Sequence, residues 1–92
     1  MQVNFFATFR SIVGKKTVYF DLAENITVRQ LLQAIVDWNP ALRKHLLGDD
    51  EQLLAHVHLF INGHDVLLSP EGMEIHLQKE DKIDVFPPVA GG

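Results

Sequence analysis

The stretch Lys82-Ile83-Asp84-Val85-Phe86, which runs into Pro87-Pro88-Val89-Ala90-Gly91-Gly92, decides how this chain is organised. Its first five residues alternate in polarity, which predicts a β-strand with Ile83 and Val85 facing a core. The prolines fix φ and lack a backbone donor, so the chain is expected to leave this strand as a stiff, extended arm. Residues 87–92 would reach about 18 Å at the rise of a polyproline helix. The two glycines make the end of that arm thin enough to enter a narrow passage.

The composition places the chain among small globular proteins. It has 92 residues, of which 47% are hydrophobic, enough for one core. We therefore expect a single domain over residues 1–92, with residues 87–92 as its extended, flexible C-terminal tail. The sequence has no cysteine, which excludes disulfides, thiol nucleophiles and thiolate metal sites.

Charge and hydropathy narrow the class of partner. The formal net charge is −4 at pH 7, whereas nucleic acids and anionic membranes attract basic surfaces. The first residues, Met1-Gln2-Val3-Asn4-Phe5-Phe6, lack the features of a secretory leader, and no apolar run approaches transmembrane length. We expect a cytoplasmic protein that binds other proteins and contacts neither nucleic acid nor membrane directly.

A β-hairpin is predicted at the start of the chain. Residues 3–10 and 17–22 both alternate in polarity and flank a short stretch that contains Gly14. Phe6 is the odd apolar member of the outward face of the first strand. The side chains predicted to point inward from the two strands are Val3, Phe5, Ala7, Phe9, Val18, Phe20 and Leu22.

Helical spacing replaces the alternation after Thr27. Thr27 and Gln30 match a capping box, in which each side chain satisfies a free backbone amide of the first turn. The apolar side chains that follow at helical spacing are Val28, Leu31, Leu32 and Ile35. Asn39 is suited to cap a second short helix that has Pro40 at its first position and runs to about Leu47.

The second half of the chain is predicted to form mainly strands. Residues 56–61 form a predicted third strand, and Asn62-Gly63 is a strong hairpin-turn signal because both residues tolerate positive φ. A short strand at residues 65–67 and an irregular crossing segment at residues 68–77 precede the last strand. The order β-β-α-β-β-β predicts an α+β fold, with one main helix packed on one face of a mixed sheet. In such a sheet the last strand lies centrally, parallel to the first.

Three aromatic residues break the polar pattern of the sheet face opposite the helix. Phe6, Phe60 and Phe86 are each predicted to point outward from a different strand. If the first, third and last strands are neighbours, the three rings lie close together. Exposed apolar clusters on small proteins usually mark a contact surface, although scattered surface aromatics are common and residues 68–77 offer an alternative cover.

These residues resemble the MoaD/ThiS family of sulfur carriers. The resemblance lies in Phe6-Ala7-Thr8-Phe9-Arg10 with Gly14, in Thr27-Val28, in Ile61-Asn62-Gly63, and above all in the tail. The tail is especially similar to that of the small subunit of molybdopterin synthase, and archaeal ubiquitin-like small modifier proteins share it. The resemblance spans the whole chain and implies a ubiquitin-like β-grasp fold.

The resemblance also implies a mechanism. An E1-like activating enzyme would use ATP and Mg to adenylate Gly92, and persulfide sulfur would then convert it to a thiocarboxylate. The large subunit of molybdopterin synthase would admit the tail and take the sulfur. Gly91 and Gly92 would be the threaded acyl donor, so the chain would be a substrate of other enzymes and would hold no permanent cofactor. The positions expected to contact partners are Phe6, Phe86, Pro87, Pro88, Val89 and Ala90, to which the alternation adds Phe60.

Other functions stay open from the sequence. Gly92 could instead be joined to target lysines, as in a ubiquitin-like modifier, or carry sulfur for tRNA thiolation, thiamine or cysteine synthesis. A plain interaction module with an inert tail is a third class. His56, His58, His64 and His76 are expected to lie on solvent-facing positions, and no metal site is predicted because no carboxylate completes a ligand motif. Asp49-Asp50-Glu51 is expected to be a solvated turn.

Overall fold

The computed structural model describes residues 1–88. Val89, Ala90, Gly91 and Gly92, on which part of the predicted tail and the predicted acyl donor fall, lie outside the described residues. The strands are β1 (Gln2–Phe5), β2 (Thr17–Tyr19), β3 (His58–Ile61), β4 (His64–Asp65) and β5 (Lys82–Phe86). The helices are α1 (Ala7–Val13), α2 (Val28–Trp38) and α3 (Arg43–Leu46), with 3₁₀ turns at Pro40–Leu42, Val66–Leu68 and Gly72–Glu74.

The five strands form one mixed sheet with β5 at its centre, in the order β2-β1-β5-β3-β4. β5 pairs in parallel with β1, so that Val3 lies opposite Ile83, and pairs antiparallel with β3, so that Leu59 lies opposite Val85. All four of these side chains are fully buried. The predicted central position of the last strand, its parallel pairing with the first, and the α+β class are confirmed.

Helix α2 covers one face of the sheet. Thr27 and Gln30 form the predicted capping box: the Gln30 N–H donates to Thr27 Oγ1 at 3.2 Å, and the Thr27 N–H donates to Gln30 Oε1 at 2.8 Å. The buried side of the helix carries Val28, Leu31, Leu32, Ile35 and Val36, which join the strand residues in one core. Asn39 caps the following 3₁₀ turn through the Ala41 N–H, as predicted.

The prediction that residues 7–10 continue the first strand is wrong, because Ala7–Val13 is a helix. The parallel ladder with β5 reaches Phe6, whose N–H donates to the Val85 carbonyl at 3.1 Å. The next ladder bond would need an N–H from Pro87, which has none. The Phe6 carbonyl instead accepts from the N–H of Phe9 at 3.1 Å, and a helix begins. Ala7 is exposed, and Phe9 is buried from the helix.

Three other strands are shorter than or shifted from their predicted bounds. β2 stops at Tyr19 where residues 17–22 were predicted, although the Phe20 N–H still bonds the Met1 carbonyl at 2.9 Å. β3 begins at His58 because His56 has a left-handed φ of 67°, which interrupts extended backbone. β4 is His64–Asp65 and ends where the Asp65 side chain accepts from the Leu67 N–H and starts a 3₁₀ turn.

The crossing segment, residues 68–77, lies on the helical side of the sheet. The Val28 N–H donates to the Ile75 carbonyl, the Leu77 N–H donates to the Ile26 carbonyl, and Arg29 pairs with Glu74 at 2.7 Å. Met73 and Leu77 are buried there. The segment therefore packs beside α2 and leaves the opposite face of the sheet open. Within residues 1–88, no helix has the length and apolar character needed to cross a membrane.

Candidate docking face

The register of the central strands places three phenylalanines on the open face. Phe6 keeps extended dihedrals (φ −117°, ψ 154°) one residue beyond β1, so its side chain lies beside that of Phe86. Phe86 pairs with His58 across the β3–β5 ladder, and Phe60 pairs with Asp84 two residues earlier. Since side chains alternate along a strand, all of these point away from α2. This arrangement follows directly from β5 lying between β1 and β3.

The three rings pack together in what we call the aromatic triad, Phe6, Phe60 and Phe86. The centroids of Phe6 and Phe86 are 4.2 Å apart with planes 13° from parallel, a stacked pair. Phe60 meets Phe86 edge-on, with centroids 5.5 Å apart and planes at 89°. Both geometries are favourable for aromatic pairs. Each residue is only half-buried. The predicted proximity of the three rings is confirmed, and the triad presents a continuous apolar surface.

A polar network lies beside the triad on the same face of the sheet. Asn4 is only 6% exposed although it lies on the open face. Its Nδ2 donates to Asp84 Oδ1 at 2.8 Å, and its Oδ1 accepts from Thr17 Oγ1 at 2.8 Å and from Gln2 Nε2 at 3.1 Å. The network ties β2, β1 and β5 together. The alternation of residues 3–10 indicates only that Asn4 points outward; its burial depends on the pairing of β1 with β2 and β5.

Charged groups of opposite sign flank the triad. On the β2 side, Lys16 Nζ lies 5.2 Å from the centroid of the Phe6 ring, within the range of a cation–π contact. On the β4 side, His58 stacks on Phe60 with centroids 6.2 Å apart, and its Nδ1 lies 3.3 Å from Asp65 Oδ2. The roles of Lys16 and Asp65 could not be predicted from the sequence, because the pattern alone fixes neither the hairpin register nor the β3–β4 pairing.

The root of the tail adjoins the triad. Pro87 is half-buried and lines, together with Phe60 and Phe86, a shallow concave surface that also includes His58, Gly63, Asp65 and Asp84. Pro88 is exposed. The predicted contact residues Phe6, Phe60, Phe86 and Pro87 are thus brought together in the structure, and Pro88 follows directly. The chain leaves the sheet at the aromatic face.

The other sequence candidates form no comparable site. In the part of the chain that the structure describes, no three histidine or acidic side chains gather as metal ligands would. His58 contacts Asp65, whereas His56 and His64 are exposed. Within Asp49-Asp50-Glu51, Asp50 accepts from the Gln52 N–H and Glu51 pairs with Arg43, which accounts for two of the three carboxylates by local contacts.

A model of the ThiS family matches residues 3–92 of this sequence. The chain belongs to the ThiS family. It is 37% identical, over its full length and 98% of the relative, to small archaeal modifier protein 3 of Haloferax volcanii. The crystal structure of SAMP1 from the same organism is 32% identical, with a TM-score of 0.86 over 100% of this chain and 98% of that one. A chain of the Amycolatopsis orientalis BexX/CysO complex is 25% identical, with a TM-score of 0.80 over 99% and 98% of the two chains.

The similarity to these proteins agrees with the mixed sheet and packed helix described above. The ubiquitin-like β-grasp arrangement and the resemblance to sulfur carriers and archaeal modifiers are confirmed. Relatives of this chain include two small archaeal modifier proteins of Haloferax volcanii and a putative sulfur carrier protein of Archaeoglobus fulgidus.

Proposed function

We propose that this ThiS-family chain is a sulfur carrier that is activated at the carboxylate of Gly92 and donates sulfur for molybdopterin synthesis. The observation that carries the proposal is the aromatic triad, an uncovered apolar surface at the root of a sequence that ends in Gly91-Gly92. A surface of this kind suits transient docking onto another protein. The docked chain would then extend residues 87–92 into the active site of its partner.

Activation is needed because a carboxylate is a poor electrophile. It is ionised at neutral pH and has no leaving group. In the proposed reaction an E1-like enzyme directs a Gly92 carboxylate oxygen onto the α-phosphorus of Mg-bound ATP, and pyrophosphate leaves. The terminal sulfur of a cysteine persulfide then attacks the acyl carbon and displaces AMP. A second thiol breaks the resulting acyl disulfide, which releases the thiocarboxylate and leaves a disulfide on the sulfur donor.

The chain's own residues would contribute binding and positioning. The triad provides a central apolar anchor, with aromatic side chains of the kind that dominate many interfaces. Lys16 and Asp65 border the anchor with opposite charge. Glycine at positions 91 and 92 keeps the end of the tail free of side chains, which suits a narrow entrance. ATP and Mg belong to the activating enzyme in this scheme.

The test for this role is a reconstitution. The chain is incubated with the activating enzyme of the same organism, ATP and a sulfur donor, then passed to the large subunit of molybdopterin synthase and the sulfur-free precursor. We expect thiocarboxylate to be consumed as molybdopterin dithiolene forms. A chain lacking Gly91 and Gly92 is the matched control and should support neither step. Thiocarboxylate that forms but is not consumed by the synthase would reject molybdopterin as the acceptor.

A second candidate is supported by the relatives that are themselves named modifiers. In this case Gly92 forms an isopeptide bond to lysines of target proteins. Immunoblots of host extract should then show a ladder of conjugates that disappears when Gly91 and Gly92 are deleted. Sulfur transfer to tRNA, thiamine or cysteine synthesis would instead leave no ladder and would appear as loss of those products in the deletion strain.

A further inference from the structure

One row of side chains across the open face has a distinctive composition. Phe60 lies opposite Asp84 on β5 and opposite Asp65 on β4. Because paired residues on adjacent strands point to the same side, the Phe60 ring lies between two carboxylates. The shallow concave surface beside the triad is lined by Phe60, Asp84 and Asp65, and also by Gly63, which has no side chain. The row is a carboxylate, an aromatic ring and a second carboxylate.

Both carboxylates are held in place by the fold. Asp84 Oδ1 accepts from Asn4 Nδ2 at 2.8 Å. Asp65 Oδ1 accepts from the Leu67 N–H at 2.9 Å, and the Asp65 side chain is only 15% exposed. Within residues 1–88, no lysine or arginine pairs with either aspartate. Among the described residues, the side chain that contacts one of them as an ion-pair partner would is His58, whose Nδ1 lies 3.3 Å from Asp65 Oδ2.

This chemistry selects a cation with a flat, weakly hydrated head. A guanidinium can stack on an aromatic ring while its N–H groups point outward in the plane toward carboxylates on both sides. An ammonium is a more strongly hydrated point charge and reaches both carboxylates less well. A low-exposure carboxylate also interacts with a cation more strongly than an exposed one does.

We propose that the row Asp84, Phe60 and Asp65 receives an arginine side chain of the protein that docks on the aromatic triad. The inference rests on the proposed function, since it names the chemistry of the partner that activates the tail. Lys16 beside Phe6 makes the opposite edge of the triad cationic. A partner with an arginine on one side of its apolar patch and an acidic residue on the other therefore docks in one orientation only, which aims the tail.

The test measures the affinity of the full chain for the activating enzyme of the same organism, by calorimetry. Asp65→Asn and Asp84→Asn remove charge while keeping an oxygen for the Leu67 N–H and for Asn4. Asp49→Asn, in the loop after α3, is the matched control. Each test variant should bind about tenfold more weakly, the scale of one desolvated interfacial ion pair, and the control should bind as the wild type does. Thermal unfolding checks that all three variants fold.

Salt dependence provides a second measurement. Between about 50 mM and about 500 mM NaCl, the wild type should lose more affinity than the Asp65→Asn, Asp84→Asn double variant. Equal affinities and equal salt dependence would overturn the proposal that Asp84, Phe60 and Asp65 bind an arginine side chain of the partner. Self-association of the wild type that both variants abolish would also overturn it, because the occupant would then be a second copy of this chain.

The failure of this inference can be told apart from failure of the proposed function. Thiocarboxylate formation is measured for every variant at enzyme concentrations that saturate binding. If the proposed arginine-binding role is wrong but the carrier function is right, thiocarboxylate forms with all variants and their affinities do not differ. If the carrier function is wrong, no variant, nor the wild type, acquires sulfur.

Discussion

The ring of Phe6 stacks on the ring of Phe86, with centroids 4.2 Å apart, although 79 residues separate them in sequence and only one ladder separates them in space. The contact exists because β1 and β5 pair in parallel, which places Phe6 beside Phe86. The same proline that starts the tail also lacks the N–H that would extend the ladder, and helix α1 follows Phe6 directly. The aromatic triad and the root of the tail, Pro87, therefore lie at one point of the fold.

Removing one of these rings should weaken docking more than stability. Phe86→Ala is expected to reduce affinity for the activating enzyme by about thirtyfold, the loss typical of a central interface anchor. Tyr19→Ala is the control, since Tyr19 is 74% exposed on the edge strand and outside the triad. Titration calorimetry measures both. Equal affinities for the two variants would show that the triad is not the docking surface.

The buried amide of Asn4 should stabilise the sheet. Asn4→Ala leaves Thr17, Gln2 and Asp84 without their shared partner, so the free energy of unfolding is expected to fall by about 1–3 kcal/mol. Gln33→Ala, which removes an exposed contact to Asp37 on α2, should change it by less than about 0.5 kcal/mol. Urea unfolding followed by circular dichroism measures both. A similar small effect at the two positions would contradict the role given to the network.

Two variants of Asn62, in the turn after β3, distinguish the contribution of backbone conformation to stability from that of side-chain hydrogen bonds. Asn62 and Gly63 have φ of 49° and 86°, and the Asn62 side chain also bonds Asp81 and the Lys82 N–H, both at 2.9 Å. Asn62→Gly retains the favourable φ and loses the side-chain bonds, whereas Asn62→Ala loses both. The alanine variant should therefore be less stable than the glycine variant by about 1 kcal/mol. Thermal unfolding of the pair measures this, and a more stable alanine variant would refute the assignment.

The cap of α2 gives a further check on the fold. Thr27→Ala removes the oxygen that accepts from the Gln30 N–H and should cost about 1 kcal/mol of unfolding free energy. Thr27→Ser keeps that oxygen and should remain close to the wild type. Chemical denaturation of the two variants decides between them. Equal loss in both would mean that the methyl group of Thr27, rather than its hydroxyl, stabilises this end of the helix.

The features that were predictable from sequence are those with strong local signals. Thr27 and Gln30 gave the helix start, Asn62-Gly63 gave the turn, and the alternation around Ile83 and Val85 gave the central strand. From these the proximity of Phe6, Phe60 and Phe86 followed. Each of these signals depends on neighbours in sequence rather than on tertiary contacts.

What was missed depends on contacts between distant residues. The alternation of residues 3–10 suited a strand, but β1 ends where its next ladder partner, Pro87 just after β5, has no N–H to donate. Phe9, Ile12 and Val13 also fit helical spacing, so the short apolar run was ambiguous. Lys16 and Asp65 gained their roles only through the exact register of β1 with β2 and of β3 with β4.

The most direct test of the central claim is the intact mass of the chain after incubation with its activating enzyme, ATP and a sulfur donor. We predict that one oxygen is replaced by sulfur, that fragmentation places the change at Gly92, and that omitting ATP abolishes it. A mass that stays unchanged with active enzyme, while ATP is neither cleaved nor exchanged with pyrophosphate, would contradict it.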